Sequence, residues 1–366
     1  MKKEKKTHVQ APAEPLYIPE DEIWTYRIDG LQEPRIGMAH THSAAKKAAV
    51  VVSLLIAIGL SIFFSVQAIR NDTFEYKQLE NGWQLTKYSN PGEVTELSID
   101  CVDGDPEKPI TSLREYFLNC DEKLLTVHIG ASVTDIDSKS FYSCWHLQAI
   151  TVDESNPNYC DIDGVLYTKD KREVICYPID RDQYLRDKFG YAEELWPDSE
   201  GYSEDYVRDV QTYRLPAETK IIGKLAFNYS NLAVIYLPEG LETIESMAFF
   251  RNESLRNIYT GTGDTVYPSL PDSVTYIGSD AFSYDQALTY MFIPKSVTYI
   301  GHHAFWGTVY KAGGNLAGVT ELNVEADEQS FRQNTEIGDQ WTPKYDYMLF
   351  SKSVPIIYGA ERTETK

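Results

Sequence analysis

Apolar and polar residues alternate along this chain in two distinct patterns. The first is a single unbroken run. From Ala48 to Ile69, "AAVVVSLLIAIGLSIFFSVQAI" holds 22 residues without a charge. A helix of that length, at about 1.5 Å per residue, reaches roughly 33 Å and can cross a bilayer core. A buried core helix would normally be amphipathic, and a cleaved leader ending at Val66-Gln67-Ala68 would be unusually long. The run therefore predicts one transmembrane helix over residues 48–69, an uncleaved signal anchor.

The second pattern is periodic. An isoleucine stands five residues before a phenylalanine at Ile136/Phe141, Ile222/Phe227, Ile244/Phe249, Ile277/Phe282 and Ile300/Phe305. Seven residues before each isoleucine is another aliphatic residue: Ile129, Leu215, Leu237, Leu270 and Ile293. In the last four a proline follows it, Pro216, Pro238, Pro271 and Pro294. Successive phenylalanines from Phe227 are 22, 33 and 23 residues apart, the longest interval carrying the insert "TGTGDTVYPS". A weaker unit around Phe117 precedes Phe141. One such unit cannot bury its own apolar face, so neighbours must stack. "L-x-x-I-x-L-P" predicts a short strand ended by proline, which has no N–H for the ladder. "I-G-x-x-A-F" predicts a tight helical turn on the opposite side.

These repeats, "LPEGLETIESMAFFRNESL" and "IPKSVTYIGHHAFWG" among them, resemble the BspA-like leucine-rich repeats of bacterial surface proteins. "ITVDESNPNYCDIDGVLYTKDKREVICYP" looks like a companion β element of such proteins. A second copy repeats its plan, with Val324 for Val152, Phe331 for Tyr159, Met348-Leu349-Phe350 for Val165-Leu166-Tyr167 and Tyr358 for Tyr177. The expected fold class is a leucine-rich-repeat solenoid of short β-strands and short helical turns, preceded by one transmembrane helix. Residues 1–47 form a disordered cytoplasmic tail and 48–69 the anchor. Residues 70–100 make a β-hairpin cap turning at Asn81-Gly82. The first repeats and companion element occupy 101–178, and 179–212 is an acidic, aromatic insertion. Further repeats fill 213–318, and the second companion element, 319–360, closes the C-terminal end.

Charge sharpens this plan. The chain has 55 acidic and 34 basic side chains, a net of −21, which disfavours nucleic acid as a partner. Residues 1–47 hold eight basic and seven acidic side chains, so the rest carries nearly all the excess. Basic residues within twenty positions of the helix number three on each side and leave its orientation undecided. "MKKEKK" favours a cytoplasmic N-terminus and an extracellular C-terminal domain. The five cysteines form no CxxC pair. Cys120 and Cys144 share one repeat position, three after the phenylalanine, where other copies have Ser230, Asn252 and Asp285. The resemblance implies small packed residues there, so stacked buried thiols are expected rather than a disulfide.

No G-x-S-x-G, H-E-x-x-H or glycine-rich phosphate loop occurs, so neither an enzyme nor a cofactor is expected. His302-His303 are expected to point apart and Asp161-Ile162-Asp163-Gly164 to form a turn rather than a calcium loop. Strand alternation turns His128, Thr151, Tyr236, Tyr259 and Phe292 outward. Stacked units would align Tyr236, Tyr259 and Phe292 as an exposed aromatic column, with Tyr290 beside it; alternatively the ladder only stabilises its sheet. Trp196 and Tyr202 of the insertion are further candidate contacts, unless that segment is a solvated loop or a small helical cover. The expected function is adhesion-type binding of a protein or glycan at the bacterial surface. The alternative is an envelope sensor or scaffold whose tail, around Trp24 and Tyr26, docks a cytoplasmic partner. A hydrolase using the many carboxylates is a remoter third.

Overall fold

A computed structural model describes residues 73–89, 94–118, 123–142, 144–191, 195, 201–262, 265–312, 315–345 and 352–362. All lie within one compact unit, Phe64–Lys366. The tail, the predicted transmembrane helix, Cys120, Trp196 and Met348–Phe350 lie outside the described residues. Among the described residues no helix is long and apolar enough to cross a membrane.

Each repeat contributes one strand to each of two faces. The "I-x-x-x-A-F" isoleucines from Ile222 onward sit on two-residue strands, Ile221–Ile222, Thr243–Ile244, Tyr276–Ile277 and Tyr299–Ile300, and Glu336–Ile337 continues the series. These pair in parallel, isoleucine beside isoleucine, within a continuous eight-stranded sheet. Every one of the first four isoleucines is fully buried. Ile136, on Asp135–Ile136, instead pairs with Ile110–Leu113 in a separate four-stranded sheet. The longer "I-x-L" strands form the second face, which is broken into three sheets. Glu96–Ile99, Thr126–Ile129 and Ala149–Val152 make the first. Thr212–Arg214, Val234–Leu237, Asn257–Thr262 and Thr265–Tyr267 make the second. Phe292–Ile293, Leu322–Val324 and Ile356–Tyr358 make the third.

The insert "TGTGDTVYPS" causes the second break. No proline stops the Asn257 strand, so it runs on to Thr262 and folds back as an antiparallel hairpin, Thr260 opposite Tyr267. That returning strand occupies the edge where Phe292–Ile293 would otherwise add, and Phe292 starts a new sheet. The expected exposed column therefore ends at Tyr259. Phe292 is fully buried, with the Arg362 guanidinium 5.4 Å from its ring and 5.6 Å from that of Tyr267. Arg362 is held there by the Asp272 carboxylate and the Leu270 carbonyl.

The third side differs from the helical turn expected. Leu225, Tyr229, Met247, Arg251, Asp280 and Tyr284 have positive φ, which stops a helix every fourth residue. Alternate N–H groups then serve different partners. Ala226 and Asn228 donate back three residues, whereas Leu225, Phe227 and Tyr229 donate to Ser246, Ala248 and Phe250 of the next coil. The same forward donation recurs from Met247, Phe249 and Arg251 and again from Asp280, Phe282 and Tyr284. Beneath these turns the phenylalanines stack. Phe227, Phe249, Phe282 and Phe305 lie 5.2, 5.2 and 5.4 Å apart with rings within 10° of parallel. Each buried ring contributes about 1.5–3 kcal/mol by leaving water.

The apolar interior forms two cores, divided by the first companion element. Within its strand Val165–Thr168, Leu166 packs into the N-terminal core while Val165 and Tyr167 pack into the C-terminal one. Both faces are covered, which accounts for three consecutive fully buried residues. The second companion element is built differently. Phe331, placed opposite Tyr159 in the sequence plan, lies on helix Glu328–Asn334, whereas Tyr159 lies on a strand. At the N-terminal edge a hairpin, Thr73–Leu79 with Gly82–Ser89, turns through Glu80 and Asn81 and pairs in parallel with Ile110–Leu113.

The insertion folds as two helices, α1 (Arg181–Phe189) and α2 (Glu204–Val210). Ser203 caps α2 by accepting from the Tyr206 N–H at 3.2 Å. The two helices enclose a small core of Leu185, Tyr206 and Val210. Arg181, 2% exposed, fixes α1 to the dividing element through the Asp163 carboxylate at 2.9 Å and the rings of Tyr177 and Tyr213.

Candidate functional site

On the second sheet the strand register sets Arg214, Tyr236 and Tyr259 side by side on the outer surface. Their inner neighbours Tyr213, Ile235 and Ile258 face the core, so alternation leaves these three outward. The Arg214 guanidinium lies 3.8 Å from the centre of the Tyr236 ring, and the Tyr236 and Tyr259 rings are 5.4 Å apart, tilted by 32°. Arg214 is exposed and both tyrosines are half-buried. Burial, then the neighbouring Tyr236, pushes the Tyr259 hydroxyl above its ordinary value, so it remains a neutral donor at physiological pH. Thr212, Val234 and Asn257 form a second outward row one step along the same strands.

The insertion meets this sheet at the start of its strands. Thr212 Oγ1 donates to the Val207 carbonyl of α2 at 2.8 Å. The Tyr202 hydroxyl donates to Gln211 Oε1 at 3.0 Å and accepts from the Arg256 guanidinium. Gln211 and Arg256 immediately precede Thr212 and Asn257, so Tyr202 is tied to two strands of the column. Burial lowers the Arg256 pKa from its ordinary value. The arrangement offers flat ring faces and two guanidinium groups, suited to stacking and polar contact rather than bond making.

The structure thus brings Tyr236, Tyr259 and Tyr202 to one sheet. His128 sits on the first sheet, its Nδ1 3.0 Å from Oγ1 of Thr151, its register partner. Tyr290 is half-buried beside the third sheet. Phe292, counted outward from the sequence, is covered as described and is unavailable for contact. Arg214 and Arg256 were missed. Arg214 directly precedes the repeat aliphatic Leu215, just as Tyr236 precedes Leu237, so its place in the column was readable from spacing alone. A second aromatic pair, Tyr276 and Tyr299, was missed on the continuous sheet, with rings 4.6 Å apart and 5° from parallel.

Two other expectations are settled by contacts. Asp161 accepts from the Val152 N–H at 2.9 Å and the Gly164 N–H at 3.4 Å. Asp163 pairs with Arg181 and Lys188, each at 2.9 Å, so both carboxylates of this turn are engaged by the protein itself. His302 and His303, expected to point apart, have ring centres 3.8 Å apart. His303 has φ 56, and that left-handed residue swings its ring back over its neighbour.

Six copies of the BspA type Leucine rich repeat region match residues 96–161, 205–311 and 264–337. No curated protein matches the chain. Among solved structures, a leucine-rich repeat protein of Eubacterium ventriosum shares 18% identity at a TM-score of 0.37. The match covers 68% of this chain and 62% of that one, so this chain spans less than two thirds of that protein. The pneumococcal vaccine antigen PcpA shares 17% identity over 68% of each chain, with a TM-score of 0.35. A leucine-rich repeat protein of Bacteroides ovatus shares 16% identity over 73% of this chain and 66% of its own, with a TM-score of 0.36. The repeat matches span more than half of the sequence and coincide with the parallel strands described above, and the chain belongs to the BspA type leucine-rich repeat family.

Proposed function

We propose that this chain is a non-catalytic binding protein of a bacterial cell surface, held by the helix at residues 48–69 with its N-terminus in the cytoplasm. Its repeats form an exported solenoid, and the outward column of Arg214, Tyr236 and Tyr259 is the face that recognises a protein or glycan ligand. The observation that carries the reading is the column itself. Its side chains stack in register on paired parallel strands, the two tyrosines half-buried and Arg214 held over the Tyr236 ring, a prearrangement that lowers the entropic cost of binding. Tyrosine and arginine are the residue types on which binding energy concentrates.

The test uses the full chain produced in a bacterium with a single membrane. Intact cells are presented with immobilised matrix proteins and mucin glycans. Capture by intact cells is expected, with affinity falling about tenfold or more for the double variant Tyr236→Ala, Tyr259→Ala. Equal capture by a double variant that melts like the parent would remove the column from the proposal. Capture only after the cells are lysed would remove the export and orientation.

A further inference from the structure

The turn side of the repeats carries a feature that the column does not explain. Two residues after each repeat phenylalanine the chain places Tyr229, Arg251, Tyr284 and Gly307 on successive coils. All four have positive φ, and backbone bonds fix their spacing: Tyr229 N–H to Phe250 O at 3.0 Å, Arg251 N–H to Ser283 O at 2.9 Å, Tyr284 N–H to Trp306 O at 2.7 Å. Arg251 therefore sits between two tyrosines. Its guanidinium carbon is 5.8 Å from the Tyr229 ring, 5.2 Å from the Tyr284 ring and 5.9 Å from the Phe250 ring. Gly307 makes room for this. A Cβ there would come within 2.7 Å of the Tyr284 ring.

Arg251 is held without a direct ion pair, and the acidic influence beside it is that of Glu253, which bears on the same Tyr229 hydroxyl. Among the described residues no carboxylate lies within ion-pair distance of it, and its Nε is buried without a hydrogen-bond partner. Arg214 is likewise without an ion pair among the described residues but stands against one ring, whereas the Arg251 guanidinium is flanked by three. The rings hold the planar fork in one orientation, so an incoming carboxylate meets a preorganised two-point donor. Trp145 extends the apolar plate, packing edge-on against Tyr229 at 4.8 Å.

We infer that Arg251, flanked by Tyr229, Tyr284 and Phe250, is a second binding site that takes a sugar unit bearing a single carboxylate. Ring faces suit a pyranose, and one guanidinium matches one negative charge. The net charge of −21 works against a densely charged polyanion but not against an isolated carboxylate, whose local contact is screened from distant charges beyond about 8 Å at physiological salt. This site does not rest on the Tyr236 column.

The experiment titrates the full chain in detergent with a short oligosaccharide ending in glucuronic acid, its methyl ester, and its neutral glucose counterpart. The acid is expected to bind about tenfold more tightly than either neutral form, as a charge-assisted bidentate contact implies. That preference disappears in Arg251→Gln and survives in the Tyr236→Ala, Tyr259→Ala variant. No preference for the acid over its ester in the unmodified chain overturns the inference without any variant. A preference retained by Arg251→Gln overturns it as well and points to Arg214 or Arg256. Arg251→Lys covers a glutamine variant that melts early; it keeps the charge without the fork and should lose most of the discrimination. Inorganic phosphate competing as well as the acid sugar would also overturn it, because the site would then recognise only a small anion.

Discussion

Asp285 stands three residues after a repeat phenylalanine, in a buried polar row with Ser230 and Asn252. Ser230 Oγ donates to Asn252 Oδ1 at 2.6 Å, and the Asn252 N–H donates to Asp285 Oδ1 at 2.9 Å. Oδ2 of Asp285 has no partner. Burial pushes this carboxyl well above its ordinary value, opposed by the Asn252 bond and reinforced by Glu253. The sign follows from linkage. A raised folded-state value means that the protonated form is favoured by folding, so the stabilisation is complete below the ordinary carboxylate range and is lost as pH rises through the raised value. Asp285→Asn should therefore raise the melting temperature at about pH 8 by roughly 2–4 °C per kcal/mol recovered, with about 1 kcal/mol expected, and by less at about pH 4. Thermal unfolding at both values checks this, and an equal or lower melting point at pH 8 would show that the buried carboxylate has another partner. Sequence reading found this row through its small side chains but not its hydrogen bonds, because Cys, Ser, Asn and Asp share size rather than chemistry. It likewise found Tyr236 and Tyr259 but misjudged Phe292. Alternation gives the direction of a side chain, and nothing in the local spacing reveals that Arg362, seventy residues further on, covers it.

Element formation was legible wherever one unit copies another. The core phenylalanines and most of the strands follow from spacing, because neighbours in the stack impose the same environment on each copy, but Leu270, expected to close a strand before Pro271, lies outside any strand. The turn side was less so, since left-handed residues such as Tyr229 and Arg251 are not the glycines that usually announce such backbone. The insert after Tyr259 was visible, yet its effect was not. A ten-residue stretch reads as a loop until it is known to return along an open strand edge. One glycine shows how tightly the coils approach. A Cβ on Gly301 would lie 2.3 Å from the Ser279 nitrogen and 2.6 Å from the Gly278 carbonyl carbon, both backbone atoms of the preceding coil. Gly301→Ala should therefore cost about 1–3 kcal/mol, the usual penalty for forcing extra volume into packed structure. Denaturant unfolding measures it, and an unchanged midpoint would mean that adjacent coils can separate without loss.

At the scale of the whole molecule, the acidic excess lies almost entirely beyond residue 47, where 48 acidic side chains face 26 basic ones. Such self-repulsion is long-ranged and sensitive to salt. Raising the salt from about 0.05 to 0.5 M should raise the melting temperature, since the Debye length falls from roughly 14 to 4 Å. A melting point that drops instead would assign more stability to surface ion pairs such as Lys139–Glu115 than to relief of net charge. The two strand faces also differ in how they can come apart. Among the described residues one consists of two sheets, an N-terminal one ending at Asp135–Ile136 and an unbroken eight-stranded one from Tyr159–Ile162 to Glu336–Ile337, while the other is cut into three and so has six outer edges against four. Edge strands hold fewer neighbours and open first. Slow exchange of backbone protons should therefore concentrate along the eight-stranded sheet, and transient opening should begin at the seams of the more divided face, beside the hairpin that follows Tyr259. The tyrosine column lies in the sheet bordered by such a seam, so the stacking of its rings is set by strands that stand next to the first place to open.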